Sequence, residues 1–482
     1  MIDARPIILV IGVLSMILGA TMFLPVIADL AAGSDDWRAF AASGLVTILI
    51  GSGLYAAARG EQSKLNLREA FLMSVLTWVA LAAFGALPFI WSAVLPNFTD
   101  AYFEALSALT TTGATVIVGL NDAPPGILLW RGILQWIGGL GIIVMAVSVL
   151  PMLQVGGMQL FKAEAFDTAE KILPSATQIS GIMTSIYSIL TLACTLSYMA
   201  AGMQPLDAAI HAMTTVATGG FSTKDESIGY FDSAAIDTVA IVFMILGSLP
   251  FLLYIKLLQG QRQVLFTDSQ VRMFIGTLAF FIFVVAGLQL AGGHHQGIDA
   301  LRHATFNVIS IMTGTGYATQ DYYAWGPFST AIFFLLMFVG GCAGSTSCGV
   351  KMFRWQVLFQ DLQQHVNQVA YPNGVFVKRF NGQILPDSVS IAVMSFFFLY
   401  MVCFAVLAVL LSLTGLDATT ALSGAASAIS NVGPGLGLTI GPSETYRELN
   451  DIAKWLLAFG MLLGRLELFT VLVLLSPAFW RM

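Results

Sequence analysis

Four short stretches of the sequence combine glycine with hydroxyl or amide side chains between long apolar runs. Each opens with Asp-Ala, continues with the pattern of a short, modestly apolar helix, and ends in a glycine-bearing polar segment. The four stretches are residues 99–116, 206–223, 298–319 and 416–437. Backbone carbonyls and Thr or Ser hydroxyls supply oxygen atoms that can replace the water shell of a large monovalent cation. The repeated pattern therefore predicts a cation site.

Each stretch has one glycine that we take as its centre. The central glycines follow the opening aspartates Asp100, Asp207, Asp299 and Asp417 by 13 to 17 positions, and they are Gly113, Gly220, Gly316 and Gly433. We expect glycine here because the loop needs a positive φ or a very close backbone approach. We also expect each opening aspartate to cap its helix, so that the partially negative helix C-terminus faces the loop and favours a cation.

The four stretches also predict an arrangement in space. Irregular backbone inside a bilayer must be buried in protein or line a wet cavity, because unsatisfied N–H and C=O groups are costly in lipid. Four helix–hairpin–helix units therefore favour a ring around a pseudo-fourfold axis, with the loops at its centre. The alternative is that the stretches are interfacial turns in which aspartate capping serves only stability.

The composition is that of an integral membrane protein. Of the 482 residues, 57% are hydrophobic and only 10% are charged, whereas a soluble protein carries about 25% charged residues. The apolar runs predict an all-α integral membrane fold with ten transmembrane helices and four re-entrant pore-loop hairpins. The expected spans are residues 7–27, 39–58, 70–92, 127–150, 178–201, 236–258, 273–291, 328–350, 389–412 and 452–475.

These spans divide the chain into an N-terminal two-helix unit and four pore repeats. The expected bounds are 1–64, 65–165, 166–262, 263–365 and 366–482. Lys and Arg cluster in alternate loops, so the positive-inside rule predicts a multi-pass protein with both termini in the cytoplasm. The spans imply contact with membrane lipid, and the net charge of −6 does not indicate a nucleic-acid partner.

The loop sequences TTTGATV, TGGFST, GTGYAT and NVGPGLG resemble the four pore loops of the Trk/Ktr/HKT superfamily of potassium transporters. The bacterial Trk-type translocating subunit is the branch that the chain resembles most, over residues 65–480 and in its two extra N-terminal spans. The resemblance implies potassium uptake across the bacterial inner membrane, with K⁺ as the transported ion. It implies neither an organic cofactor in this chain nor an enzymatic activity.

The resemblance also implies a selectivity filter with one central glycine in each loop. The implied filter residues are Thr111, Thr112, Gly113, Thr218, Gly219, Gly220, Thr315, Gly316, Asn431, Val432 and Gly433. Those implied to hold K⁺ are Thr112, Gly113, Gly219, Gly220, Thr315, Gly316, Val432 and Gly433. The residue after the central glycine differs in every loop, so we expect only modest discrimination against Na⁺.

Span eight contains the segment FVGGCAGSTSCGVK, whose glycines argue against a regular helix. The segment predicts either a broken helix whose loop blocks the pore or close helix packing through small residues. The resemblance favours the first interpretation, because Trk proteins have an intramembrane gating loop in this span. The implied gate residues of this segment are Gly340, Gly341, Gly344, Ser345, Thr346 and Gly349.

Span ten carries Arg465 and Glu467 among apolar residues. A charged side chain at that depth is costly and usually faces a cavity or a partner. We expect Arg465 to face the ion path below the filter, where its positive charge opposes cation passage, and the resemblance supports this gate role. The alternative is that Arg465 reaches the membrane surface or bridges to a neighbouring loop. Glu467 lies on another face of the helix, so the two residues are not expected to pair.

Glu104 and His211 lie within the first two short helices, and we expect them to hold filter backbone rather than the ion. The cytoplasmic stretches have no phosphate-binding glycine motif, so nucleotide control requires a separate subunit. The resemblance implies a homodimer and a TrkA-like cytoplasmic regulatory subunit that binds NAD(H) or ATP/ADP. Three other functions stay open: a carrier that couples K⁺ to H⁺ or Na⁺, a membrane-embedded enzyme, and a non-conducting sensor or scaffold.

Overall fold

The computed structural model describes residues 3–60, 66–148, 176–293 and 297–481. The predicted unit boundaries at 64–65 and 165–166 lie outside these ranges. The described residues form helices and connecting loops, together with one antiparallel hairpin of two-residue strands.

The α-helices are, in chain order, Arg5–Thr21, Phe23–Ala32, Trp37–Ala58, Leu67–Trp91, Phe98–Leu109, Pro125–Ser148, Ala176–Ala200, Pro205–Val216, Ala234–Ser248, Phe251–Leu258, Val264–Thr267, Ser269–Gly292, Gly297–Thr313, Pro327–Leu336, Met352–Ala370, Asp387–Leu413, Ala418–Ser430, Asp451–Arg465, Phe469–Leu475 and Pro477–Arg481. Three short 3-10 helices are Leu120–Asp122, Ser227–Phe231 and Tyr446–Glu448. The hairpin strands are Arg379–Phe380 and Gln383–Ile384.

Within the described residues, seven stretches of helix are long and apolar enough to cross a membrane. They are Arg5–Ala32, Trp37–Ala58, Leu67–Trp91, Pro125–Met145, Gln178–Ala200, Ser269–Gly292 and Asp387–Leu413. Two bent helix pairs raise the number to nine if each pair is one span. The prediction of an all-α, multi-pass membrane protein is therefore confirmed.

The ten predicted spans are not all straight helices, because spans six and ten are sharply bent. Ala234–Ser248 and Phe251–Leu258 meet at 91°, and Asp451–Arg465 and Phe469–Leu475 meet at 117°. Pro250 accounts for the first bend, since proline has no N–H to donate and its ring clashes with the preceding turn of a helix.

The second bend and the break in span eight have no proline. In span ten the two residues Glu467 and Leu468 have φ of 62° and 29°, which no helix contains. Span eight is helical only over Pro327–Leu336 and then runs as an irregular loop, residues 337–351. We call this segment the span-eight loop. Its conformation agrees with the prediction that span eight is a broken helix.

The four predicted short helices are present, as Phe98–Leu109, Pro205–Val216, Gly297–Thr313 and Ala418–Ser430. The capping prediction is right only for the fourth, where the Asp417 carboxylate accepts N–H bonds from Thr419 and Thr420 at 3.0 and 3.1 Å. The other three aspartates are wrong as caps, because each lies inside the first helical turn. There their negative charges still interact favourably with the partial positive charge of the helix N-terminus.

The N-terminal helices pack onto the helix that follows the first loop. Helices Arg5–Thr21 and Trp37–Ala58 approach each other closely, since a Cβ at Gly12 would lie 2.8 Å from the Gly51 carbonyl oxygen. Small residues at the interface allow such a close approach between membrane helices. Asp29 then accepts the Gly126 N–H at 2.7 Å. This bond caps Pro125–Ser148 from a distant part of the chain.

Candidate functional site

Each short helix ends in the same two backbone hydrogen bonds. The residue before each central glycine donates its N–H to the carbonyl five positions back, and the residue before that donates three positions back. The longer-range bonds are Thr112 to Ser107 at 2.9 Å, Gly219 to Thr214 at 2.8 Å, Thr315 to Ser310 at 2.9 Å and Val432 to Ser427 at 3.0 Å. The pair is the Schellman motif, which places a left-handed residue after the helix.

The left-handed residue of each motif lies two positions before the central glycine. These residues are Thr111, Thr218, Gly314 and Asn431, with φ of 52°, 50°, 74° and 53°. The central glycines are left-handed again, with φ of 85°, 75°, 80° and 105°. Residues of alternating handedness turn successive N–H groups to one side of the chain. In each loop the two N–H groups of the motif bind back into the helix.

The four loops contact one another in a closed ring. If any central glycine carried a Cβ, that atom would lie less than 3.0 Å from a carbonyl oxygen of the next loop. The oxygen belongs to the residue directly before the central glycine of that next loop. In loop order, these contacts join Gly113 to Gly219, Gly220 to Thr315, Gly316 to Val432 and Gly433 to Thr112. The fourth loop thus meets the first, and each junction has room only for glycine.

All four central glycines line a single cavity of about 360 Å³. Side chains of both charges also line it, among them Arg131, Lys224, Asp225, Glu444 and Glu448. The structure therefore brings the four predicted loop centres together at one place, although more than 300 residues separate the first from the last.

The remaining predicted filter residues are buried along the same loops. Among the predicted filter residues, two have carbonyls that already accept bonds from side chains. The Gln135 amide donates to the Gly219 oxygen at 2.6 Å, and the hydroxyls of Ser427 and Tyr446 each donate to the Gly433 oxygen at 2.8 Å. These bonds hold the two loops in place and occupy lone pairs that an ion would otherwise use.

The side chain of one predicted filter residue joins two loops, and one loop residue was missed. The Asn431 amide donates to the Thr112 hydroxyl at 2.9 Å and to the Met461 carbonyl at 2.8 Å, which joins the fourth loop to the first. Gly314 is the left-handed residue of the third loop but was not among the predicted filter residues. Its position two residues before Gly316 was the available signal.

A buried ion pair supports the first two loops. Glu104 accepts bonds from the Val116 N–H and the Arg131 Nε, both at 2.8 Å. Arg131 also donates to the Ser222 carbonyl of the second loop at 2.7 Å. Glu104 therefore holds loop backbone, as the sequence predicted, and Arg131 extends its effect to the neighbouring loop.

Each of the other short helices has a polar side chain in a similar place. His211 Nε2 lies 3.0 Å from the Ser222 hydroxyl, and its Nδ1 lies 2.8 Å from a backbone carbonyl of its own helix, so neither nitrogen contacts the predicted loop backbone. Asn307 accepts the Thr319 N–H at 3.3 Å, and the Ser423 hydroxyl accepts a loop N–H at 2.9 Å. The sequence analysis missed Asn307 and Ser423 because short polar residues in a helix give no distinctive signal.

Replacing Glu104 by alanine is expected to destabilise the folded protein by about 3–5 kcal/mol, because the buried Arg131 guanidinium loses its counter-charge. Unfolding of the purified protein measures the loss. Asp35→Ala is the matched control, since it breaks the exposed pair of Asp35 with Arg38, and such pairs contribute about 0–1 kcal/mol. Equal destabilisation by the two changes would contradict the supporting role.

The span-eight loop lies against the ends of the short helices. It donates to the last-turn carbonyls of the second, third and fourth short helices. The bonds run from Thr346 Oγ1 to Val216 at 3.0 Å, from Ser347 Oγ to Thr313 at 2.7 Å and from the Gly349 N–H to Ser430 at 2.9 Å. Carbonyls at a helix C-terminus lack partners within the helix. The loop satisfies them and so lies across the space toward which the helices point.

All six predicted gate residues of span eight belong to this loop. Gly344 and Gly349 are left-handed, with φ of 73° and 72°, and a side chain at Gly340 would collide with the Cys348 carbonyl. Ser347 and Cys348 were not predicted as gate residues, yet both contact other segments. Their partners lie far away in the sequence, so no local pattern revealed them.

Arg465 ends its helix and reaches into the span-eight loop. Its guanidinium donates to the Thr346 carbonyl at 3.3 Å, to the Cys348 sulfur at 3.1 Å and to the Gly138 carbonyl at 3.3 Å. Only 4% of Arg465 is exposed, so it does not reach the membrane surface. The side chain bridges the span-eight loop to the helix Pro125–Ser148, which follows the first glycine loop.

Glu467 forms a buried ion pair with Arg354 rather than with Arg465, in agreement with the spacing argument. The Arg354 guanidinium also lies 3.7 Å from the centre of the Phe396 ring. These charged side chains and Lys351 line a small cavity of about 40 Å³ together with residues of the span-eight loop, and no central glycine lines it. The region behind the ring is therefore rich in fixed positive charge.

Comparison with known proteins gives one consistent result. A family model described as TrkH, cation transport protein, matches residues 37–482. The Trk system potassium uptake protein TrkI of Halomonas elongata is 43% identical over 479 residues, which are 99% of this chain and 97% of that protein. TrkH of Escherichia coli is 39% identical over 484 residues, 99% of both chains. The crystal structure of the potassium transporter TrkH from Vibrio parahaemolyticus matches with a TM-score of 0.92 and 36% identity over 100% of each chain. The chain therefore belongs to the TrkH family of cation transport proteins.

Proposed function

We propose that this chain takes up potassium across the bacterial inner membrane through a pore that its four glycine loops surround. The closed ring of loop contacts around one cavity is the observation that carries this proposal. Carbonyl and hydroxyl oxygens that surround a cavity can replace the hydration shell of K⁺. The family relatives, named Trk system potassium uptake proteins, support the choice of ion.

The proposed architecture has ten membrane crossings, of which spans six, eight and ten are bent or broken. An N-terminal two-helix unit, residues 1–64, precedes four repeats that each carry one re-entrant loop, at 65–165, 166–262, 263–365 and 366–482. Both termini lie in the cytoplasm in this arrangement. A homodimer with one pore per chain and a TrkA-like nucleotide-binding regulatory subunit complete the proposed assembly.

The span-eight loop and Arg465 form the proposed gate. The loop lies across the path behind the ring, and Arg465 fastens it to the neighbouring helix through three hydrogen bonds. A positive charge at this place also opposes a cation that leaves the ring. Opening then requires both that the loop moves and that the guanidinium leaves the path.

A flux measurement on the purified protein in liposomes tests the proposal. We expect uptake of K⁺ and Rb⁺ above that of Na⁺, and uptake that persists when the proton gradient is collapsed and the voltage is clamped. Liposomes without protein are the control. Uptake that stops with the proton or sodium gradient would instead identify a coupled carrier, and no flux of any of the three ions would overturn the proposal.

A further inference from the structure

A second cavity, of about 440 Å³, lies where helix Phe251–Leu258 ends and helix Ser269–Gly292 begins. Three basic residues line it, and they are Lys256, Arg272 and Arg379. Among the described residues, none of the three has a carboxylate within 4.0 Å. Their charges are therefore free to bind an anion that enters the cavity.

The one carboxylate of the lining, Asp268, forms no ion pair with them. Its Oδ1 accepts the N–H groups of Gln270 and Val271 at 2.9 and 3.1 Å, and its Oδ2 accepts the Asn381 amide at 3.0 Å. The carboxylate thus caps the helix, and the first helical N–H groups are already bound. The positive side chains remain as the donors for a ligand.

The hairpin holds its arginine in place over the cavity. Asn381 and Gly382 form its turn, with φ of 47° and 84°, the conformation that favours Asn-Gly in two-residue hairpins. The Asn381 side chain also accepts the Ser269 N–H at 2.9 Å. These bonds fasten the hairpin to the start of the membrane helix, so Arg379 on the adjacent strand stays at the cavity.

Apolar side chains next to the cavity place it at the edge of the membrane. Leu258 and Phe266, on either side of it, are 74% and 80% exposed. Arg272 lies at the end of an exposed stripe of its helix that continues through Ile275 and Phe283, which are 43% and 72% exposed. An anion dissolved in water makes no use of such a stripe, whereas the acyl chain of a lipid does.

We propose that this cavity binds the phosphate headgroup of an anionic phospholipid, whose acyl chains lie along the exposed stripe of Ser269–Gly292. Arginine binds phosphate oxygens through two parallel N–H bonds, and basic pockets between membrane helices are suited to anionic headgroups. In the proposed orientation the site faces the cytoplasmic leaflet. The site is separate from the ion path, so its test needs no flux measurement.

Binding of phosphatidylglycerol to delipidated full-length protein, counted by native mass spectrometry, tests the proposal. The double change Arg272→Gln with Arg379→Gln is expected to weaken binding about 30-fold, since each basic residue near a membrane contributes about 1 kcal/mol. Arg262→Gln is the matched control, because it removes one charge from the same connection outside the cavity lining and is expected to leave binding unchanged. If the double variant does not fold, Lys256→Gln is expected to weaken binding about fivefold.

Several outcomes would overturn the proposal. Equal loss in the Arg262→Gln control, or no loss in the cavity variants, would assign the binding elsewhere. Phosphatidylcholine that binds as well as phosphatidylglycerol would rule out recognition of the anionic headgroup. If inorganic phosphate displaces the lipid as strongly as free lipid does, the cavity is a site for a soluble anion. If only an acidic protein partner, and no lipid, binds these arginines, the cavity is a docking surface for a protein.

Discussion

Proteoliposomes with the Gly316→Ser variant are expected to lose about tenfold in the ratio of K⁺ to Na⁺ flux, which corresponds to about 1.4 kcal/mol of lost discrimination. Gly316 has φ of 80°, a conformation that costs a side chain roughly 1–2 kcal/mol. Its new Cβ would also lie 2.8 Å from Pro434 and collide with the Val432 carbonyl. Because Val432 belongs to the next loop, two of the four loops must move apart.

Gly415→Ser is the matched control for this change. Gly415 has a similarly left-handed φ of 95°, but a side chain there would meet nothing within 4 Å. We expect its flux ratio to equal that of the unchanged protein, so the comparison separates backbone strain from the collision inside the ring. An unchanged ratio in Gly316→Ser, from protein that is folded and conducting, would show that the ring is not the selective element.

Arg465→Ala is expected to raise Rb⁺ uptake at least about tenfold in the absence of any regulatory partner. Two effects act in the same direction. The variant removes the bonds that fasten the span-eight loop through Thr346, Cys348 and Gly138. It also removes a positive charge, and two unit charges 4 Å apart repel by about 4 kcal/mol at an effective dielectric constant of 20.

Arg465→Lys distinguishes the two effects. Lysine keeps the charge but lacks the planar fork that reaches several acceptors at once. If the hydrogen bonds and the charge both contribute, the flux through Arg465→Lys is expected to lie between that of the unchanged protein and that of Arg465→Ala. Arg38→Ala, at an exposed site, serves as the control for loss of an arginine. Wild-type or lower flux from a folded Arg465→Ala protein would refute the gate.

The sequence was sufficient for the features that are local. An opening Asp-Ala, a short apolar helix and a glycine-bearing polar segment recur in the same order four times, which located the short helices and their central glycines. Glycine content marked the unusual segment of span eight, and the family resemblance favoured a break there over close helix packing. These features depend on residues that lie within a few positions of one another, so their physical causes can be seen in a short window.

The features that the sequence did not reveal depend on distant partners. The span-eight loop binds the end of helix Ala234–Ser248, since the Ser248 carbonyl accepts the Cys342 N–H at 3.1 Å. Arg354 pairs with Glu467 across 113 positions. Asp100, Asp207 and Asp299 failed as caps because the helices begin before them, and element ends vary by a residue or two.

The ring of loops is made by one polypeptide, and this has a consequence for how its properties change during evolution. In a channel of four identical subunits, one altered codon changes every wall of the passage together. Here one codon changes only one of the four loops. The residues that follow the central glycines already differ, and they are Ala114, Phe221, Tyr317 and Pro434. In the proposed pore, a substitution in one loop can therefore alter ion preference while the other three loops stay unchanged.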